Sequence, residues 1–181
     1  MLRALIARDQ FDVAMVGALQ QADTIYAVVL AANTSQQIPI PATIAGAVAS
    51  GTFQVGETVT QSGTNVSGTL MAVPASSGPM ILGALSSPAG ANSTGTWTGG
   101  TSGATFTPTA APVPAGLVLF GVTGGTDFFM LFSSSAISVP SSNMTTGAAP
   151  ELNPLIRSCA GKTYISLISA SACTVTMAFY Q

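Results

Sequence analysis

Pro39-Ile40-Pro41-Ala42 and Pro112-Val113-Pro114-Ala115 are near-duplicate tetrapeptides, and they bracket a stretch whose composition differs from everything outside it. Joining Gln36-Gln37-Ile38-Pro39-Ile40-Pro41-Ala42 to Gly116-Leu117-Val118-Leu119-Phe120-Gly121 restores an unbroken series of apolar, strand-like segments. What lies between becomes a self-contained block of Gly, Ser, Thr and Ala. The pattern reads as one domain split in sequence, residues 1–42 plus 113–181, carrying an inserted module, residues 43–112. The alternative is that the two Pro-x-Pro-Ala turns are unrelated.

Outward from these brackets the pattern is β. Tyr26 to Ala31 reads as a buried strand, with the turn Asn33-Thr34-Ser35 after it. Gln36 to Ile40 then reads as a strand kept to a sheet edge or a strand end by its prolines. Leu117 to Val122 and Asp127 to Phe132 flank Gly124-Gly125, whose freedom to take positive φ suits a tight hairpin. Ser133 to Pro150 reads as a surface crossing. Thr163 to Ser169 and Cys173 to Tyr180 read as a final hairpin turning near Ala170-Ser171. In its second strand Cys173, Val175, Met177 and Phe179 alternate with Thr174, Thr176 and Ala178, as in a sheet covered on one side.

Inside the insert, short segments separated by glycine turns (51–56, 68–73, 79–83, 95–98 and 104–107) predict a small all-β module. About 70 residues make a thin core, so neighbouring subunits are expected to contribute to its stability. Residues 2–19 show roughly helical apolar spacing and are read as a short N-terminal arm or helix. The fold class is therefore all-β, an antiparallel β-sandwich or jelly-roll-like domain interrupted by the inserted module.

Composition narrows the function classes. The chain is 48% hydrophobic and 6% charged, with no histidine and a net charge of −2, against roughly 25% charged residues in an average globular protein. The longest apolar run, Ile25 to Ala32, is far short of the roughly 20 residues that span a bilayer, so no membrane partner is expected. Arg8 and Asp9 interrupt any signal-peptide core, so no secretory export is expected and the Asn-x-Ser/Thr matches at Asn33, Asn65, Asn92 and Asn143 read as chance. Arg3, Arg8, Arg157 and Lys162 are the basic residues, too few for the footprint of nucleic-acid binding. From Thr24 to Thr126 the sole charge is Glu57, and such a surface can pack against other subunits with little charge to desolvate.

The same inventory leaves catalysis with little to use. Asp9, Asp12, Asp23, Glu57, Asp127 and Glu151 are scattered, whereas a glycosidase acid pair must stand about 5 to 10 Å apart. Gly99-Gly100-Thr101-Ser102-Gly103 lacks the lysine and helix of a phosphate loop and reads as a turn. Cys159 and Cys173 lack a partner base and metal-ligand spacing; on the hairpin reading Cys173 faces Ile168, which leaves Cys159 out of disulfide reach. Both are expected as free thiols, Cys173 as a small buried hydrophobe. Trp97 is either a sugar-stacking platform or, preferably, a core anchor. Arg157 and Lys162, close to Glu151 and Asn153, are expected in local ion pairs or subunit contacts. No catalytic, cofactor-binding or metal residue is assigned.

Ile38-Pro39-Ile40-Pro41-Ala42, Asp127 to Phe132, Ser138-Val139-Pro140, Glu151-Leu152-Asn153-Pro154, Thr163 to Ile168 and Cys173 to Tyr180 together make the split domain resemble small virion structural proteins of tailed bacteriophages. The likeness is to capsid decoration (cement) proteins and related head-associated β proteins. Phe53-Gln54-Val55-Gly56-Glu57-Thr58-Val59-Thr60 and Gly99 to Thr105 make the insert resemble Gly-rich β modules of phage structural and fibre proteins. The resemblance implies a protein made in the host cytoplasm and carried on the capsid surface. It further implies that the split domain docks on the major capsid protein as a homo-oligomer, a trimer at a local three-fold position. The alternative it implies is a tail- or head-fibre adhesin whose insert binds host-surface glycans. A clustered aromatic groove in the insert would favour that second reading, whereas its one Trp and few Phe favour the structural one.

Overall fold

The computed structural model describes residues 7–8, 14–15, 22–123, 125–142 and 148–181. Every regular element among them is a β-strand, apart from the 3₁₀ turn Pro88–Gly90. The chain opens with β1 (Ala7–Arg8) and β2 (Ala14–Met15), where Ala7 faces Met15 and Arg8 faces Ala14. At these positions the expected helix is corrected to strand pairing; a short helix without packing partners is marginal in water. The rest of residues 2–19 lies outside the described residues.

Next come β3 (Thr24–Leu30) and β4 (Gln36–Pro39). The bracketed region supplies β5 (Pro41–Ile44), β6 (Gly46–Ser50), β7 (Thr58–Gln61), β8 (Ser67–Ala72), β9 (Met80–Gly83), β10 (Trp97–Gly99), β11 (Thr105–Pro108) and β12 (Val113–Pro114). The remainder contains β13 (Leu117–Thr123), β14 (Phe129–Leu131), β15 (Glu151–Leu152), β16 (Ile156–Ser158), β17 (Tyr164–Ile168) and β18 (Cys173–Tyr180).

The strands outside the brackets form two four-stranded antiparallel sheets, ordered β16-β13-β18-β3 and β15-β14-β17-β4. They enclose one core: Val28, Val118, Val175 and Phe179 from the first meet Met130, Ile165 and Leu167 from the second. Successive strands alternate between the sheets at most connections, which is the eight-stranded jelly-roll arrangement. Alternation along β18 follows the sequence pattern, with Cys173, Val175, Met177 and Phe179 buried. Each such side chain contributes about 1.5–3 kcal/mol when fully buried. β4 lies at a sheet edge, where Pro39 needs no ladder partner.

Both expected hairpins of this domain are corrected. β13 and β14 belong to different sheets, as do β17 and β18. The link between β13 and β14 is a corner, because Phe120 and Phe128 must both turn into the shared core, with their rings 5.9 Å apart. β13 pairs instead with β18 over seven positions, and β17 with β4 and β14. The disulfide argument from hairpin register therefore falls away; Cys159 and Cys173 are nevertheless both free and buried. β3 is also corrected from buried strand to half-covered edge strand, since Ile25, Ala27 and Val29 face solvent.

The strands from β5 to β12 make a separate eight-stranded sheet, ordered β12-β5-β9-β8-β7-β10-β11-β6. β5 and β6 are successive parts of one strand bent at Ala45, whose carbonyl accepts from Thr109 N–H at 2.8 Å. β5 runs on into β6 as β11 runs on to β12, and because β5 pairs with both β9 and β12 while β6 pairs with β11, the sheet closes on itself as a small barrel. Its own core contains Ile44, Phe53, Val59, Leu70, Met80, Leu82, Trp97 and Phe106. Gly46 permits the closure, since a Cβ there would lie 2.6 Å from the Phe106 ring. Residues 51–56, expected as a strand, form a loop that drops Phe53 into the barrel.

The duplicated tetrapeptides pair with each other. Ala42 faces Pro114, Thr43 faces Val113, and Ala115 N–H donates to the Pro41 carbonyl at 3.0 Å. Ile40 and Ala115 are buried in the sandwich core, whereas Ala42 belongs to the barrel core. The chain changes cores at these prolines, which suit strand ends because each lacks a donor.

Candidate functional site

Glu57 is the one carboxylate of the barrel, and it is turned inward. It sits just before β7 at 6% exposure and accepts from Gln54 N–H at 2.7 Å, Thr101 N–H at 3.1 Å and Ser102 N–H at 3.0 Å. The Ser102 hydroxyl adds a bond at 2.8 Å. Burial pushes the carboxyl pKa up, but the Gln54, Ser102 and Thr101 donors together outweigh it and hold the group below its ordinary value of 4.5. A Cβ at Gly99 would lie 2.5 Å from Glu57 Oε2, so only glycine lets the turn close around the acid. The Gly99–Gly103 turn thus does bind an anion, and that anion is the chain's own side chain.

At the other end of β7, Gln61 is fully buried. Its amide donates to the Asn92 and Gly95 carbonyls at 2.8 and 3.0 Å and accepts from Asn92 N–H and the Thr64 hydroxyl, both at 3.0 Å. Glu57 and Gln61 therefore anchor two different loops to one strand. Sequence reasoning passed over Gln61; the Asn92-x-Thr94-Gly95 turn, in which Asn92 Oδ1 accepts from Thr94 and Gly95 N–H, was the available signal.

The remaining described acids are engaged separately. Asp23 accepts from Gln181 N–H at 2.8 Å. Asp127 accepts from the Asn153 amide at 2.6 Å, while Asn153 Oδ1 accepts from Phe128 N–H. Glu151 pairs with Arg157 across the sandwich edge, as expected, although both are about two-fifths exposed and the pair is worth little. The Lys162 ammonium lies 5.9 Å from the centroid of the Phe132 ring, beside a 300 Å³ groove lined by Ser133, Thr163 and Tyr164. Asp9 and Asp12 lie outside the described residues. Among the described residues no three Cys, Asp or Glu side chains converge on one point.

Cys159 is fully buried and donates to the Ala115 carbonyl at 3.2 Å. Burial pushes its thiol up to about 11, the opposite of an activated nucleophile. Trp97, Phe53 and Phe106 all point into the barrel at 0–2% exposure. The preferred reading of Trp97 as a core anchor therefore holds, and the sugar-platform reading is corrected: the ring is spent on filling the barrel.

What remains available for recognition is surface. The barrel's exterior is neutral, since Glu57 is its one charge and is caged. The outer face of the β16-β13-β18-β3 sheet is also uncharged, because Arg157 shares the inward side of β16 with its partner Val118. Comparison with known protein families, with curated proteins and with solved structures finds no match.

Proposed function

We propose that this protein is a non-catalytic structural component of a tailed-phage virion, a homo-oligomeric decoration protein that binds the assembled head through the major capsid protein and stabilises it. The observation that carries this reading over the adhesin alternative is the inward placement of Trp97, Phe53 and Phe106. Among the described residues the insert keeps these rings inside, so they offer no exposed face on which a sugar can stack. The two neutral surfaces suit protein–protein burial, where few charges must be desolvated.

A ligand of the assembled shell that does not bind free subunits must shift disassembly toward the intact state. Particles lacking the protein should release their genomes at lower temperature than decorated ones, and adding back the purified protein should restore resistance. Undecorated particles that are equally robust but no longer adsorb to cells would replace the cement reading with the adhesin one.

A further inference from the structure

The outer face of the β16-β13-β18-β3 sheet is built in rows. Ile156, Leu119, Ala178 and Ile25 are successive cross-strand partners, and Thr123, Thr174 and Val29 form a parallel row four residues away. Ile25 is 62% exposed, Val29 70%, and Leu117 and Ile156 each 43%. A sheet face that stays in water normally alternates to polar and charged residues; this one has hydroxyls as its strongest polar groups.

The adjoining edge points the same way. Sheet edges are normally blunted by shortness, proline, lysine or a bulge. β15 and β16 are two and three residues long, and β4 ends in Pro39. β3 has none of these devices: seven residues without charge or proline, paired to β18 without a register shift and ending the sheet. The one unguarded edge among the described strands of the sandwich therefore borders this uncharged face.

Building on the oligomeric reading above, we infer that this face and the open edge of β3 are the surface by which copies of this chain pack on one another. The partner must itself be uncharged, and this chain, 6% charged, offers such a face. The four strands hold three, seven, eight and seven residues, and at about 3.3 by 4.8 Å per residue the flat footprint is roughly 400 Å². Two copies then bury about 800 Å² before side-chain relief is counted, and pairing along the open edge of β3 adds to this toward the roughly 1,000 Å² expected of a biological interface.

The test is the mass of the purified full-length protein in solution, by light scattering and sedimentation. Thr176→Lys and Ala27→Glu place a charge on cross-strand partners at the middle of the face, and Gln37→Lys places one at an exposed position on the other sheet. Wild type and Gln37→Lys should give the same multiple of 18.0 kDa, and the two face variants should associate at least about 100-fold more weakly. Circular dichroism checks their folding, and Ala27→Glu, at a solvent-facing edge position, decides if Thr176→Lys does not fold. An oligomeric wild type whose folded face variants keep its mass overturns the face assignment and leaves the oligomeric reading standing. A monomeric wild type, with residues 1–21 or another protein covering the face, overturns both.

Discussion

Glu57→Ala tests whether the barrel is held by the chain's own carboxylate. The substitution leaves the N–H groups of Gln54, Thr101 and Ser102 without their acceptor. At about 1 kcal/mol each, the low end for orphaned donors because a surface turn can admit water, the loss is about 3 kcal/mol. For a domain of 60–100 residues that corresponds to a fall of roughly 12–24 °C in melting temperature. Trp97 is the single tryptophan and is buried in the barrel, so its fluorescence follows barrel unfolding specifically. Folding lowers the Glu57 pKa, so on acidification the unfolded chain takes up the proton first. The contribution is whole above about pH 4.5 and is lost as pH falls through the folded-state value. Glu57→Gln should remove this part of the acid dependence. A Glu57→Ala protein whose tryptophan transition coincides with wild type would refute the argument.

Because the backbone of Pro41 meets that of Ala115, replacing residues 42–114 by a two-glycine bridge should leave a soluble sandwich with cooperative melting and β-sheet circular dichroism; recovery only as aggregate would show that the sandwich needs the barrel. Native protein should leave both thiols unlabelled at neutral pH and release two on denaturation, since Cys159 and Cys173 are buried, and labelling of Cys159 in the native state would contradict its packing. Burial raises the Tyr26 hydroxyl to about 12 and the Cys159 thiol to about 11. Their stabilisation is therefore present below about pH 9 and lost as pH rises toward these values, because the unfolded chain ionises first. Chemical denaturation midpoints should accordingly fall between pH 9 and 11, and a flat profile would count against both burials.

Legible in the amino-acid order alone were the all-β class, the alternation of Cys173–Tyr180 and the edge position of Gln36–Pro39. These features are local: period-two burial and the missing proline donor act on the residues that carry them. The near-duplicate prolines were legible as a break in the chain, but that they pair with each other, Pro114 opposite Ala42, is a long-range contact that no local signal encodes. The same limit explains the corrected hairpins. Gly125, at a φ of 62°, and Ala170-Ser171 do interrupt the strands, yet whether a turn returns to its own sheet or crosses to the facing one depends on which distant strand buries the apolar face. β13 pairs with β18 and with β16, and Phe128 turns into the core instead of extending a ladder. Glu57 shows the limit at the level of a side chain: its isolation was visible in the sequence, but its inward turn depends on donors more than forty residues away. Only the pairing of β10 with β7 brings Thr101 and Ser102 to the carboxylate, and hydrogen bonds then outweigh the cost of burying its charge.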